Sequence, residues 1–190
     1  PGRSRTSTNT LPTPAAPGHA FAALTGGTRF TCGVTPQWVA LCWGAGNSGQ
    51  LGVQQLSSTV PVGVQGGLRF KQVSAGDVFT CGISTGARAW CWGDNSYGQH
   101  GAGIPGGLAR SPVAVLTTER FRVITSGTTH ACALALDGRA FCWGSGPPGG
   151  VGGPPPIPAS TTPLAVQTSL RFRSLRAQGV TTCGRAMDDR

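Results

Sequence analysis

The chain has 190 residues, with 15 Lys and Arg against 6 Asp and Glu, a formal charge of +9. Glycine (31) and proline (15) are far above ordinary usage, and charged residues are only 11%. That composition excludes a helical bundle, a coiled coil and a highly charged disordered chain, and leaves an all-β protein of many short strands. No run approaches the 18 apolar residues of a membrane-spanning helix.

Residues 1–10 read as a flexible Ser/Thr/Pro-rich arm, and the same composition runs on to Pro17. A linker is the simplest reading; an O-glycosylated or partner-contacting arm is the sharper one. The chain begins at Pro1 without a charged region followed by an apolar one, the pattern of a processed or cropped N-terminus.

A repeat then takes over. Cys-Trp-Gly occurs at Cys42-Trp43-Gly44, Cys91-Trp92-Gly93 and Cys142-Trp143-Gly144. Ten residues before each triplet stands another cysteine, Cys32, Cys81 or Cys132, and Cys183 continues the series. Each of these four follows a phenylalanine (Phe21, Phe70, Phe121, Phe172), and each phenylalanine follows a proline (Pro12, Pro61, Pro112, Pro163) at fixed distance. Four anchors in register define repeat 1 (11–60), repeat 2 (61–111), repeat 3 (112–162) and a partial repeat 4 (163–190).

Within each unit, strand-length runs are separated by Gly or Pro, and a period near 50 with about four short strands is the pattern of a β-propeller blade. The innermost strand is expected near Val73–Ala75 and its equivalents, where small residues suit a crowded axis. Alternation puts Phe141 and Trp143 on one face of a strand and Cys142 on the other. Trp43, Trp92 and Trp143 are accordingly expected to fill the space between blades.

The residues resemble a known family. Asn47-Ser48-Gly49-Gln50-Leu51-Gly52 after Trp-Gly, and Val73-Ser74-Ala75-Gly76 ahead of Thr80-Cys81-Gly82, look like the regulator of chromosome condensation repeat. The resemblance covers about residues 11–190, is best in the second copy and worst in the third, which runs to Pro147-Pro148-Gly149-Gly150. It implies a seven-bladed propeller, of which this chain carries about three and a half repeats. The paired cysteines are similar to the bacterial, exported branch rather than to the nuclear exchange factor.

The cysteines fall into three pairs ten apart. In the third copy a loop Leu136-Asp137-Gly138, with Gly138 as the left-handed residue of a bulged turn, sets Cys132 opposite Cys142 at a non-hydrogen-bonded pair. Turns at Thr35-Pro36-Gln37 and Thr85-Gly86-Ala87 keep the same offset, so Cys32–Cys42, Cys81–Cys91 and Cys132–Cys142 are read as disulfides. Zinc is disfavoured, because no Cys-x2–4-Cys cluster is present and His19, His100 and His130 are isolated; a reduced buried pair is the third option. Disulfides place the chain in an oxidising compartment: secreted, cell surface or periplasmic. Cys183 is left unpaired by its own repeat, and the chain stops inside a hairpin. A fragment is therefore expected, whose parent continues through a small residue and an apolar residue into Cys-Trp-Gly; intermolecular pairing of Cys183 is the other reading.

No catalytic, cofactor-binding or metal-binding residue is nominated: the acids are few, and His130 occupies the place of Phe30 and Phe79, which argues packing. The cations stand singly along the sequence and form no block, so nucleic acid is not the expected partner. The expected function is a non-enzymatic extracytoplasmic scaffold that binds a protein or glycan partner through its blade loops. The alternative is a structural subunit whose open-edged partial propellers self-associate into a homo-oligomer or fibre.

Overall fold

Fourteen strands and no helix lie among the described residues, 18–146 and 159–188, of the computed structural model. The arm and its Pro12 anchor, the Pro147-to-Gly152 stretch and Arg190 fall outside those residues. The first sheet holds β1 (Ala23–Gly26), β2 (Phe30–Val34), β3 (Ala40–Ala45) and β4 (Ser57–Gly63). The second holds β5 (Phe70–Ala75), β6 (Phe79–Ser84), β7 (Ala89–Asp94) and β8 (Leu108–Ala114). The third holds β9 (Phe121–Ser126), β10 (His130–Ala135), β11 (Ala140–Gly144) and β12 (Ser160–Ala165), and the last pairs β13 (Phe172–Gln178) with β14 (Thr181–Ala186). Every sheet is an antiparallel meander in sequence order, so these are three blades and the first two strands of a fourth. The repeat anchors Pro61, Pro112 and Pro163 sit within the fourth strands β4, β8 and β12.

The first strands of the blades lie side by side around an axis, as the small-residue character of Val73–Ala75 leads one to expect. They are stitched to one another by side chains rather than by a backbone ladder. The Thr25 hydroxyl accepts from the Ala75 amide at 3.1 Å, Ser74 from Ser126 at 2.9 Å and Thr125 from Ala177 at 2.8 Å. Gln72 both donates to the Ile124 carbonyl (3.0 Å) and accepts from its amide (3.1 Å). Thr, Ser and Gln at these places thus satisfy backbone groups that a propeller's diverging strands leave unpaired.

Alternation along the middle strands gives each blade two different faces. One core joins Cys32, Cys42 and Leu51 of the first blade to Phe70, Val73 and Trp92 of the second. The next joins Cys81, Cys91 and Ile83 to Phe121, Phe141 and Trp143. A smaller one sets Cys132, Cys142 and Leu134 against Leu175. Each blade therefore presents its disulfide side to the blade that follows and its aromatic side to the blade before.

The glycine of each Cys-Trp-Gly has a backbone reason. Gly44, Gly93 and Gly144 lie at φ +103, +101 and +91, where the ladder to the fourth strand shifts register. A side chain there would need a left-handed backbone and would strike the loop before the second strand.

Candidate interaction surface

The three cysteine pairs are bonded, with S–S distances of 2.09, 2.05 and 2.13 Å and Cα separations of 4.1, 4.0 and 4.1 Å. They stand directly opposite one another in the register, Cys32 against Cys42, Cys81 against Cys91 and Cys132 against Cys142. The hairpin turns explain the constant offset. Thr35, Ser84 and Ala135 each donate to the residue four further on, closing a three-residue loop. In the first blade that loop is Pro36–Trp38, one residue later than the sequence suggested. Its third position is left-handed in every copy: Trp38 at φ 64, Ala87 at φ 62 and Gly138 at φ +85. Gly138 is left-handed as expected in the third blade; in the other two the hairpin register imposes the conformation on a tryptophan and an alanine. Cys183 is exposed and free on β14, opposite Arg176 of β13.

Trp92 and Trp143 are fully buried. Each indole donates to a loop of the preceding blade, Trp92 to the Gln50 carbonyl at 3.0 Å and Trp143 to that of Gln99 at 2.8 Å. The Gln50 carbonyl also accepts the Thr80 hydroxyl at 2.9 Å. The loop after Trp-Gly is therefore a seat for the next blade's tryptophan. Trp43 is half-buried and packs on Phe21, ring centres 5.5 Å apart.

His100 and His130 serve packing. His100 takes the place of Leu51, with its Nε2 3.0 Å from the Gly93 carbonyl; burial pushes its pKa down, partly offset by that carbonyl and by Asp94. His130 takes the place of Phe30 and Phe79, with Nε2 2.7 Å from the Thr182 hydroxyl; burial lowers its pKa too. Among the described residues no three His, Cys, Asp or Glu side chains gather as a metal site. No helix among the described residues is long and apolar enough to cross a membrane.

The two ends of the blade stack differ. At one end lie the turns between second and third strands together with the linkers that lead into each new blade. Backbone bonds tie them: Phe70 to the Trp38 carbonyl, Thr85 to Arg69, Phe121 to Ala87, Leu136 to Arg120, Phe172 to Gly138 and Met187 to Arg171. We call this end the turn face. Three repeat positions fill it with cations: Arg69, Arg120 and Arg171 just before the first-strand phenylalanine, Lys71, Arg122 and Arg173 just after it, and Arg88 and Arg139 where the return strand begins. Against them stand Glu119, Asp137 and Asp188. Arg139 bridges Glu119 (3.0 Å) and Asp137 (2.6 Å), which holds the Asp137 carboxyl below its ordinary value and raises the guanidinium. The opposite end carries Arg29 and Arg110 with Asp77 and Asp94, and exposes Tyr97 and Ile104.

The grouping of cations corrects the view that they are scattered. They are separated in sequence because the blade period separates them, and it is the same period that brings them to one end. Reading the offsets from the Phe and Cys anchors would have found them. Trp38, whose exposure is 45% on this face, carried no comparable signal.

Comparison with known proteins agrees with this architecture. Two profiles described as the Regulator of chromosome condensation (RCC1) repeat match, one at residues 40–83 and the other at 70–99 and 121–147. Among solved structures, human WBSCR16 matches with a TM-score of 0.81 at 18% identity, over 90% of this chain and 46% of that one. Prp20p from Saccharomyces cerevisiae gives 0.79 at 21%, over 92% and 45%. The ectodomain of the receptor kinase ACR4 from Arabidopsis thaliana gives 0.56 at 21%, over 90% and 47%. The chain thus spans a little under half the length of these structures, and at such identities the likeness concerns the fold. No curated protein matches the sequence.

Proposed function

From a chain that carries regulator of chromosome condensation repeats folded as propeller blades, we propose a non-enzymatic extracytoplasmic scaffold that binds a partner through the loops at the ends of its blades. The observation that carries this reading is the division between frame and loops. Disulfides, buried indoles and inter-blade hydrogen bonds fix the strands, while large side chains such as Trp38, Leu136, Tyr97 and Ile104 stand exposed on turns and loops. A rigid scaffold that displays loop side chains is how many folds recognise partners. The three disulfides support an oxidising compartment. Prp20p has been characterised for its binding to Gsp1p and histones, and the ACR4 match is a receptor ectodomain. Both fit a recognition role, and His100 and His130 are held in buried packing positions.

The test is to immobilise the protein and present extracellular proteins and an array of glycans from its natural setting. A specific partner should be retained, and lost on Trp38→Ala with Leu136→Ser or on Tyr97→Ala with Ile104→Ala, at unchanged melting temperature. Retention unaffected by either set, or lost only when the fold is lost, contradicts the proposal.

A second reading, self-association, is favoured by one feature. Cys183 is exposed and free on β14, at the position whose counterparts in the other blades are bonded across the next strand. It calls for a higher mass in solution that falls on reduction or on Cys183→Ser.

A further inference from the structure

We propose that the turn face binds an acidic segment of a partner protein. This deepens the scaffold reading and rests on it. The first ground is segregation of charge: among the described residues, eight cations gather at this end against three carboxylates, while the opposite end carries Arg29 and Arg110, with Arg176 nearer to it than to the turn face, against Asp77 and Asp94. The second is how the guanidinium groups are held. Arg122 donates to the carbonyls of Phe172 (2.6 Å) and Arg173 (3.1 Å), Arg120 to that of Gly86 (3.4 Å), and Arg171 to those of Ser169 and Leu170. Carbonyl bonds orient a guanidinium without cancelling its charge, and each of these groups keeps further N–H donors for a carboxylate.

The third ground decides the class of polyanion. Exposed apolar residues alternate with the cations along the same turns: the Trp38 carbonyl accepts from Phe70, next to Arg69, and the backbone amides of Leu136 and Met187 donate to the carbonyls of Arg120 and Arg171. Leu136 and Arg120 line a depression of about 300 Å³ together with Glu119, Asp137 and Arg139; the two carboxylates there are taken up by Arg139, which leaves Leu136 as an apolar anchor beside the Arg120 charge. Arginine with tryptophan and other apolar anchors is the composition of protein hot spots. Phosphate and sugar backbones are met by cations and stacking rings, and leucine and methionine add nothing there.

The probe is a labelled 12-residue peptide in which glutamates alternate with leucines, with heparin fragments and single-stranded DNA as competitors, at about 150 mM salt so that loose ion attraction is screened. Fluorescence anisotropy should show saturable binding. Arg69→Glu with Arg88→Glu should weaken it by about tenfold or more, and Leu136→Ser several-fold. Arg69 and Arg88 are exposed, so melting should not change; Arg69→Gln with Arg88→Gln serves if the reversal impairs folding. No binding of the peptide overturns the proposal. So does tighter binding of heparin or DNA with indifference to Leu136→Ser, which would mark a general polyanion surface. A partner lost only on the Tyr97 and Ile104 substitutions would leave the scaffold reading intact and sink this one; a partner lost with neither set would sink both.

Discussion

Replacing Trp92 by alanine tests how the blades are joined. The indole has 0% exposure, its ring centre lies 5.5 Å from that of Phe70, and its N–H reaches the Gln50 carbonyl of the preceding blade. Loss of a buried aromatic of this kind costs about 3–5 kcal/mol, through lost burial and the cavity left behind. The hydrogen bond is the smaller part. Because the Gln50 carbonyl keeps the Thr80 hydroxyl as a donor, no acceptor is orphaned and the bond itself contributes about 1 kcal/mol. Trp92→Phe, which keeps a ring and loses the N–H, should therefore cost about 1–2 kcal/mol, from that bond and one partly filled gap. Urea unfolding followed by circular dichroism measures both, with the denaturant slope checked for constancy. A Trp92→Ala cost within about 0.5 kcal/mol of zero, the range of ordinary surface changes, would refute the inter-blade role. Equal costs for the two substitutions would refute the division between packing and hydrogen bonding.

Three further outcomes follow from the same geometry. Cys81→Ala with Cys91→Ala should lower stability by about 2–3 kcal/mol, the chain-entropy value for a loop this short; wild-type protein measured with and without reductant should move in the same direction. At the turn position, Gly138→Ala should cost about 1–2 kcal/mol, whereas Ala87→Gly should be neutral or stabilise by less than about 1 kcal/mol, and opposite signs in thermal melts would contradict the left-handed assignment. Burial holds the pKa values of His130 and His100 low in the folded state. The unfolded chain therefore takes up protons first as pH falls below about 6.5, and stability declines from there down to the lowered folded values. His130→Phe should flatten that decline, and an unchanged slope of melting temperature against pH would show that His130 does not contribute.

The fold was legible because its anchors carry their own geometry. A constant ten-residue offset between cysteines already demands a hairpin of fixed register, and Phe141-Cys142-Trp143 already assigns disulfide and aromatic to opposite faces. Other features were hidden because they arise only when blades meet. Nothing in Thr25, Ser74 or Gln72 read singly announces a bond to the neighbouring blade, since the partner is a backbone group about 50 residues away. The cations of the turn face were hidden differently: each looks isolated in the chain, and only superposition of the repeats gathers them. Trp38 was concealed by its turn, where glycine is the usual occupant and proline and glutamine precede it.

The most direct test of the whole account is mass spectrometry of unreduced peptides from the protein isolated from its natural compartment. It examines blade register and redox setting at once. The account predicts linked peptides joining Cys32 to Cys42, Cys81 to Cys91 and Cys132 to Cys142. Free thiols at these six positions would contradict the oxidising compartment, and a link between repeats, such as Cys42 to Cys81, would contradict the blades themselves.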